Sequence, residues 1–252
     1  MMRFDHIGVR FGQKIALDDV TFSLMPHQLT AIVGKNGAGK STLISCVTGQ
    51  VRYSGGISFD GQTLSRLTAR QRARLVAVLP QSLPRASLPV EALVAMGRNP
   101  HVPFGSRLTA EDRAKIDWAI QASGLESMRQ ARLDRLSGGE RQRAYLAMIL
   151  AQDTPVVLLD EPTTYMDIIR EAEFLQFLEV LKTRHGKTLL VVMHDLTKAV
   201  ELADSILVLE QGRQRFFGPT AQCVDSGVLE DTFHVHRSSY RKNNTEHILY
   251  YF

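Results

Sequence analysis

The chain has 252 residues, of which 44% are hydrophobic and 22% charged, with a formal net charge of +4; this is the balance of an ordinary soluble globular protein with room for a full core. Nowhere do 18 consecutive apolar residues occur, which excludes an ordinary transmembrane helix. Arg3 and Asp5 interrupt the stretch where a secretory signal would carry its apolar run, so a cytosolic location is expected.

Residues 3–10 and 19–24 alternate apolar and polar positions, the pattern of antiparallel strands. Residues 29–33 form a continuous apolar run, which predicts a buried parallel strand, and a helix is expected over 41–47. Between them lies Gly34-Lys35-Asn36-Gly37-Ala38-Gly39-Lys40-Ser41-Thr42, the G-x-x-x-x-G-K-[ST] pattern in the strand–loop–helix context it requires. Gly34, Gly37 and Gly39 allow successive amides to converge on phosphate oxygens. The helix N-terminus adds about half a positive charge at the same place. Lys40 is expected to pair with β- and γ-phosphates, and the Ser41 hydroxyl to hold Mg²⁺.

A further strand is expected at 75–79, followed by Gln81 and a proline-containing loop from Pro84 to Pro89. An isolated glutamine is usually polar surface, but this one stands where a group sensing Mg²⁺ or water could relay movement. From about 83 to 152 the sequence predicts helices without intervening strands: one over 89–96, and one opened by Thr109 with Asp112 three residues on. A third follows Ser137-Gly138-Gly139. This block reads as a helical subdomain inserted between strands of a sheet.

Residues 156–160 are another buried run, ending in Asp160 and Glu161. Two carboxylates at a strand's C-terminal end lie where ligands bind in wound α/β sheets. Asp160 would support Mg²⁺ and Glu161 would polarise an attacking water. Apolar residues at helical spacing predict a helix over 167–185, with Gly186 as its C-terminal cap. The run 189–193 ends at His194 and Asp195; its position at the same sheet edge turns His194 from a structural histidine towards γ-phosphate contact. A last strand is expected at 206–209, giving an α/β sheet of wound type. Two arginine clusters, around 66–74 and 129–143, lack aromatic interleaving, so nucleic acid is not an expected partner. Cys46 and Cys223 lack metal-ligand spacing and are expected to be reduced thiols. The tail, 236–252, reads as a final strand or a dimer contact.

Taken in order, the segment 34–42, Gln81, Leu136-Ser137-Gly138-Gly139-Glu140, the run 156–161, Asp167 and His194 resemble the nucleotide-binding subunit of ABC transporters over about residues 3–235. The resemblance implies a P-loop NTPase with a RecA-like parallel sheet core, an N-terminal antiparallel β part (about 1–28 and 51–60) and an inserted helical subdomain, all in one cassette. It implies ATP and Mg²⁺ as ligands. Glu161, His194 and Gln81 take the catalytic roles, and Ser41, Gln81 and Asp160 attend Mg²⁺. Phe11 matches the aromatic that stacks on adenine. Gly34, Lys35, Asn36, Gly37, Ala38, Gly39, Lys40, Ser41 and Thr42 hold the phosphates. Ser137, Gly138, Gly139 and Glu140 contact ATP bound by a second copy, so the expected assembly is an ATP-sandwich dimer. Asp167, in Thr164-Tyr165-Met166-Asp167, matches the loop coupling the two sites.

A narrower resemblance lies in Val94-Ala95-Met96-Gly97-Arg98-Asn99-Pro100-His101 and in the segment 161–168. Both look like importers of iron-siderophores, haem and cobalamin, with ferric siderophore the first choice. The implied partners are transmembrane permease subunits and, indirectly, a periplasmic or lipid-anchored substrate-binding protein. The implied location is the cytoplasmic side of the cell membrane. A soluble ABC ATPase acting on ribosome or DNA is disfavoured by the single phosphate loop and the lack of sustained heptads. A non-hydrolysing module is disfavoured because Lys40, Asp160, Glu161 and His194 are all present.

Overall fold

The computed structural model describes residues 1–252 apart from 85, 104, 165, 243, 244 and 252. In chain order its first elements are β1 Met2–Phe11, β2 Lys14–Leu24, β3 Leu29–Val33, α1 Lys40–Thr48, β4 Ser54–Phe59, β5 Gln62–Thr63, α2 Ala69–Ala73, β6 Val76–Leu79, α3 Val90–Met96, α4 Ala110–Ala122 and α5 Gly138–Gln152. There follow β7 Val156–Asp160, α6 Ile168–Thr183, β8 Thr188–Val192, α7 Leu196–Leu202, β9 Ser205–Glu210, β10 Arg213–Pro219, α8 Thr220–Asp225, α9 Val228–Phe233, β11 His236–Lys242 and β12 Thr245–Tyr251. Among the described residues no helix is long and apolar enough to cross a membrane.

The chain divides into two compact units, Met1–Leu67 with Leu178–Phe252, and Thr68–Phe177. The first holds an antiparallel sheet ordered β2-β1-β4-β5, in which Phe4 stacks on Phe22 with ring centroids 4.2 Å apart. It also holds β9, β3 and β8 running parallel, with β10 antiparallel to β9. All five residues of β3 and of β8 are buried, which is why, Thr30 and Thr188 apart, their sequences are apolar on both faces rather than alternating. Residues 14–18 extend β2 beyond the alternation at 19–24, because the β1–β2 ladder shifts register at bulges where the half-period breaks. The tail is a two-stranded antiparallel hairpin, β11 with β12, in which His236 pairs with Tyr251.

In the second unit β6 and β7 pair in parallel, from Val76 with Val156 to Leu79 with Leu159. Three helices, α3, α4 and α5, pack on one another. α4 starts at a reciprocal cap between Thr109 and Asp112, and α5 at another between Ser137 and Glu140, each satisfying two amide donors that a helix start leaves open. Gly97 permits the close approach of α3's end to α5, since a Cβ there would lie 2.2 Å from the Met148 carbonyl oxygen. Beside it Arg98, 3% exposed, donates to Asp112 at 2.9 Å and to the Ala151 carbonyl at 2.7 Å. Burial alone would raise the Asp112 carboxyl, but hydrogen bonds from Thr109 and Arg98 outweigh it and bring it down to about 2.

Candidate functional site

The phosphate loop leaves β3 and enters α1 in the first unit. Gly39, with φ of 102°, is the left-handed residue immediately before the helix, and a Cβ there would meet the Ala16 carbonyl oxygen at 2.6 Å. Only glycine fits both the angle and the space. Lys35, Asn36 and Gly37 are exposed at the tip, while Lys40 is 6% exposed. The Lys40 ammonium donates to the carbonyls of Gly34 at 2.6 Å and Lys35 at 3.2 Å, so it is tied back onto the loop. Successive loop amides, the start of a nine-residue helix and this ammonium make an anion cradle.

β8 is the parallel neighbour of β3, from Leu29 with Leu189 to Ile32 with Val192, and the Met193 amide extends the ladder to the Ile32 carbonyl. His194 and the phosphate loop therefore leave the same end of adjacent strands. His194 is exposed, and Asp195 caps α7 by accepting from the Lys198 amide at 3.1 Å. Phe11, at the end of β1, is 53% exposed, an aromatic the fold leaves out of the core.

In the second unit Gln81 lies two residues beyond β6 and Glu161 one residue beyond β7, so the parallel pairing brings both to one sheet end. The Gln81 amide donates to a Glu161 carboxylate oxygen. Asp160, the last residue of β7, is 5% exposed. Glu161 has φ of 51°, an uncommon conformation for a residue with a side chain. Its carbonyl accepts from the Thr164 hydroxyl at 3.0 Å, and Asp167 accepts from the Arg170 amide at 2.9 Å to start α6. Tyr165 lies outside the described residues.

Ser137, Gly138, Gly139 and Glu140 form the head of α5. The Ser137 hydroxyl donates to Glu140 at 2.7 Å, and the bonds from Ser137 hold the Glu140 carboxyl below its ordinary range. The head lines a pocket of about 640 Å³ with Arg143, Asp167 and Phe174 among its walls. The reciprocal cap takes up the Ser137 and Glu140 amides, leaving those of Gly138 and Gly139 as the first-turn donors without an intrahelical acceptor.

Two residues escaped the sequence reading. Gln142, 4% exposed, donates to the Pro162 carbonyl, and the Tyr145 hydroxyl donates to the Pro84 carbonyl at 2.8 Å. The available signal was a polar side chain on the buried stripe of a helix, which demands a partner.

A phosphate cradle on one β-strand end, an acid–amide pair on another and a helix head opened by Ser-Gly-Gly define a P-loop nucleotide hydrolase of α/β class. The ABC transporter family model matches residues 17–164, and the chain belongs to that family of ATP-hydrolysing cassettes. Over 233 residues it is 34% identical to the iron(3+)-hydroxamate import ATP-binding protein FhuC of Bacillus subtilis, covering 92% of this chain and 87% of that one. It is 38% identical over 220 residues to the hemin import ATP-binding protein HmuV of Pseudomonas fluorescens, covering 84% of each. Among solved structures, an inward-facing metal-chelate-type ABC transporter superposes with a TM-score of 0.85 at 23% identity, over 100% of this chain and 97% of that one.

Proposed function

We propose that this chain is the ATP-binding subunit of an importer that takes up an iron complex, a ferric siderophore before haem or cobalamin, through a separate membrane permease. The observation that carries the reading is the similarity, across more than four-fifths of both chains, to ATP-binding subunits of iron-hydroxamate and hemin import. The segment 94–101, at the end of α3, supports the same class. The whole chain serves as one cassette, with a helical insertion at about 83–152, an antiparallel part at about 1–28 and 51–60, and the tail at 236–252. It works at the cytoplasmic face of the membrane, with a substrate-binding protein supplying the permease from the other side.

Two copies pair head to tail around two ATP molecules, each phosphate loop facing the partner's Ser137, Gly138, Gly139 and Glu140. Phe11 stacks on adenine, residues 34–42 hold the phosphates, Glu161 polarises the attacking water, and His194 contacts the γ-phosphate. The Ser41 hydroxyl, Asp160 carboxylate and Gln81 carbonyl are hard oxygen donors of the kind Mg²⁺ takes. Among the described residues no cluster of three or more His, Cys, Asp and Glu could hold a metal alone, which suits an ion that arrives with the nucleotide's phosphates. When bound, Mg²⁺ neutralises charge on the β- and γ-phosphates.

The test is growth of a gene-deleted strain on a ferric siderophore as sole iron source. Wild-type chain restores growth and Glu161→Gln does not. A deletion strain that keeps full siderophore uptake but loses haem or cobalamin uptake would move the cargo, and one that loses none would sink the importer reading.

A further inference from the structure

Helix α5 does more than present Ser137, Gly138 and Gly139 at its head. Three residues apart on one face, Gln142 and Tyr145 reach two different loops of the same unit. Gln142 takes the carbonyl of Pro162, directly after Glu161, and Tyr145 takes the carbonyl of Pro84, three residues after Gln81. Glu161 and Gln81 are themselves joined side chain to side chain. One helical face thus grips both supports of the acid–amide pair.

The backbone at Glu161 explains why such a grip is needed. A side-chain-bearing residue at φ of 51° keeps that angle only where its surroundings over-determine it. Thr164 restrains the turn from within, through its hydroxyl on the Glu161 carbonyl. Gln142 restrains it from outside, from a side chain 4% exposed. At the other end of α5, the Gln152 amide donates to the Ala73 carbonyl at 2.6 Å, just before β6, the strand that leads to Gln81. A 15-residue helix tied at these points links its head to both loops.

We propose that Gln142 and Tyr145 are positioning residues: they couple occupancy of the Ser137–Gly139 end to the geometry of Glu161 and Gln81, so that hydrolysis follows engagement of the partner's nucleotide. This rests on the ATP-sandwich reading above. Neither side chain touches the nucleotide; each acts through a loop that carries a catalytic group.

The experiment measures phosphate release against ATP concentration for the full-length wild type, Tyr145→Phe and Gln142→Ala, with nucleotide affinity by fluorescent-nucleotide titration and thermal melting alongside. A displaced catalytic group costs about tenfold to a hundredfold in rate. The expected result is therefore a fall in kcat of at least about tenfold in each variant, with nucleotide Kd within about twofold of wild type. Tyr145→Phe removes a single oxygen and keeps the ring, so it carries the test where Gln142→Ala lowers the melting temperature. Variants with wild-type kcat, or Tyr145→Phe losing affinity and melting temperature in step with rate, overturn the inference and leave the function standing. A wild-type chain that binds ATP but releases no phosphate overturns the function and the inference with it.

Discussion

The side-chain amide of Gln81 donates to the carboxylate of Glu161 across the ends of two parallel strands, β6 and β7. The bond fixes the direction of the acid at the sheet end, which suits the general-base role proposed for it. Glu161→Gln keeps shape and hydrogen bonding but removes the basicity. Phosphate release is expected to fall by about 10²- to 10⁴-fold, with fluorescent-nucleotide affinity unchanged. Turnover within a few-fold of wild type would remove Glu161 from the role.

Lys40 sits 6% exposed with its ammonium on the carbonyls of Gly34 and Lys35. A charge already stripped of water and aimed at the cradle interacts strongly with an incoming phosphate. Lys40→Ala is expected to weaken ATP affinity by at least about tenfold, one lost charge-assisted contact. Equilibrium titration with a fluorescent ATP analogue checks it, and an unchanged Kd would place the phosphates elsewhere.

How much of this was legible depended on which physical signal each residue carried. β3 and β7 are readable to the residue because both faces of each strand are buried, which fills them with apolar residues apart from Thr30 and the terminal Asp160. The phosphate loop is readable because its geometry admits only glycine at Gly39. The starts of α4 and α5 are readable from Thr109 with Asp112 and from Ser137, since capping is local chemistry. The hairpin at the tail was only half visible: its strands are mostly exposed, so no burial pattern marks them. Gln142 and Tyr145 were missed for a different reason. Their partners are backbone carbonyls 20 and 61 positions away in the chain, and nothing in the local pattern encodes such a partner.

Cys46 and Cys223 are both buried free thiols, and burial pushes each up to about 12. The thiolate is the reactive form, so raised values predict slow alkylation in the native state. Iodoacetamide at pH 8 is expected to label neither cysteine appreciably over minutes, and both at once in denaturant, read by intact mass. Rapid native labelling at either position would contradict its burial.

Arg98 and Asp112 form an ion pair with side chains 4% and 8% exposed, so each charge depends on the other. Removing one partner strands the other in a poorly solvated site, which typically costs about 3–5 kcal/mol; Arg98→Met is therefore expected to lower stability by roughly that amount in urea unfolding, whereas a surface arginine such as Arg113 changes it little. The pH dependence follows from the sign of the shift. The Asp112 carboxyl lies at about 2 in the folded chain against an ordinary 3.8, so the unfolded state binds its proton first. Stability from this group is complete above the ordinary value and drains away as pH falls through it towards 2. Asp112→Asn removes that dependence while keeping a hydrogen-bonding group. The difference in unfolding free energy between wild type and Asp112→Asn is thus expected to shrink as pH drops from 6 to 3, and a difference constant over that range would show that the pair carries no net charge coupling.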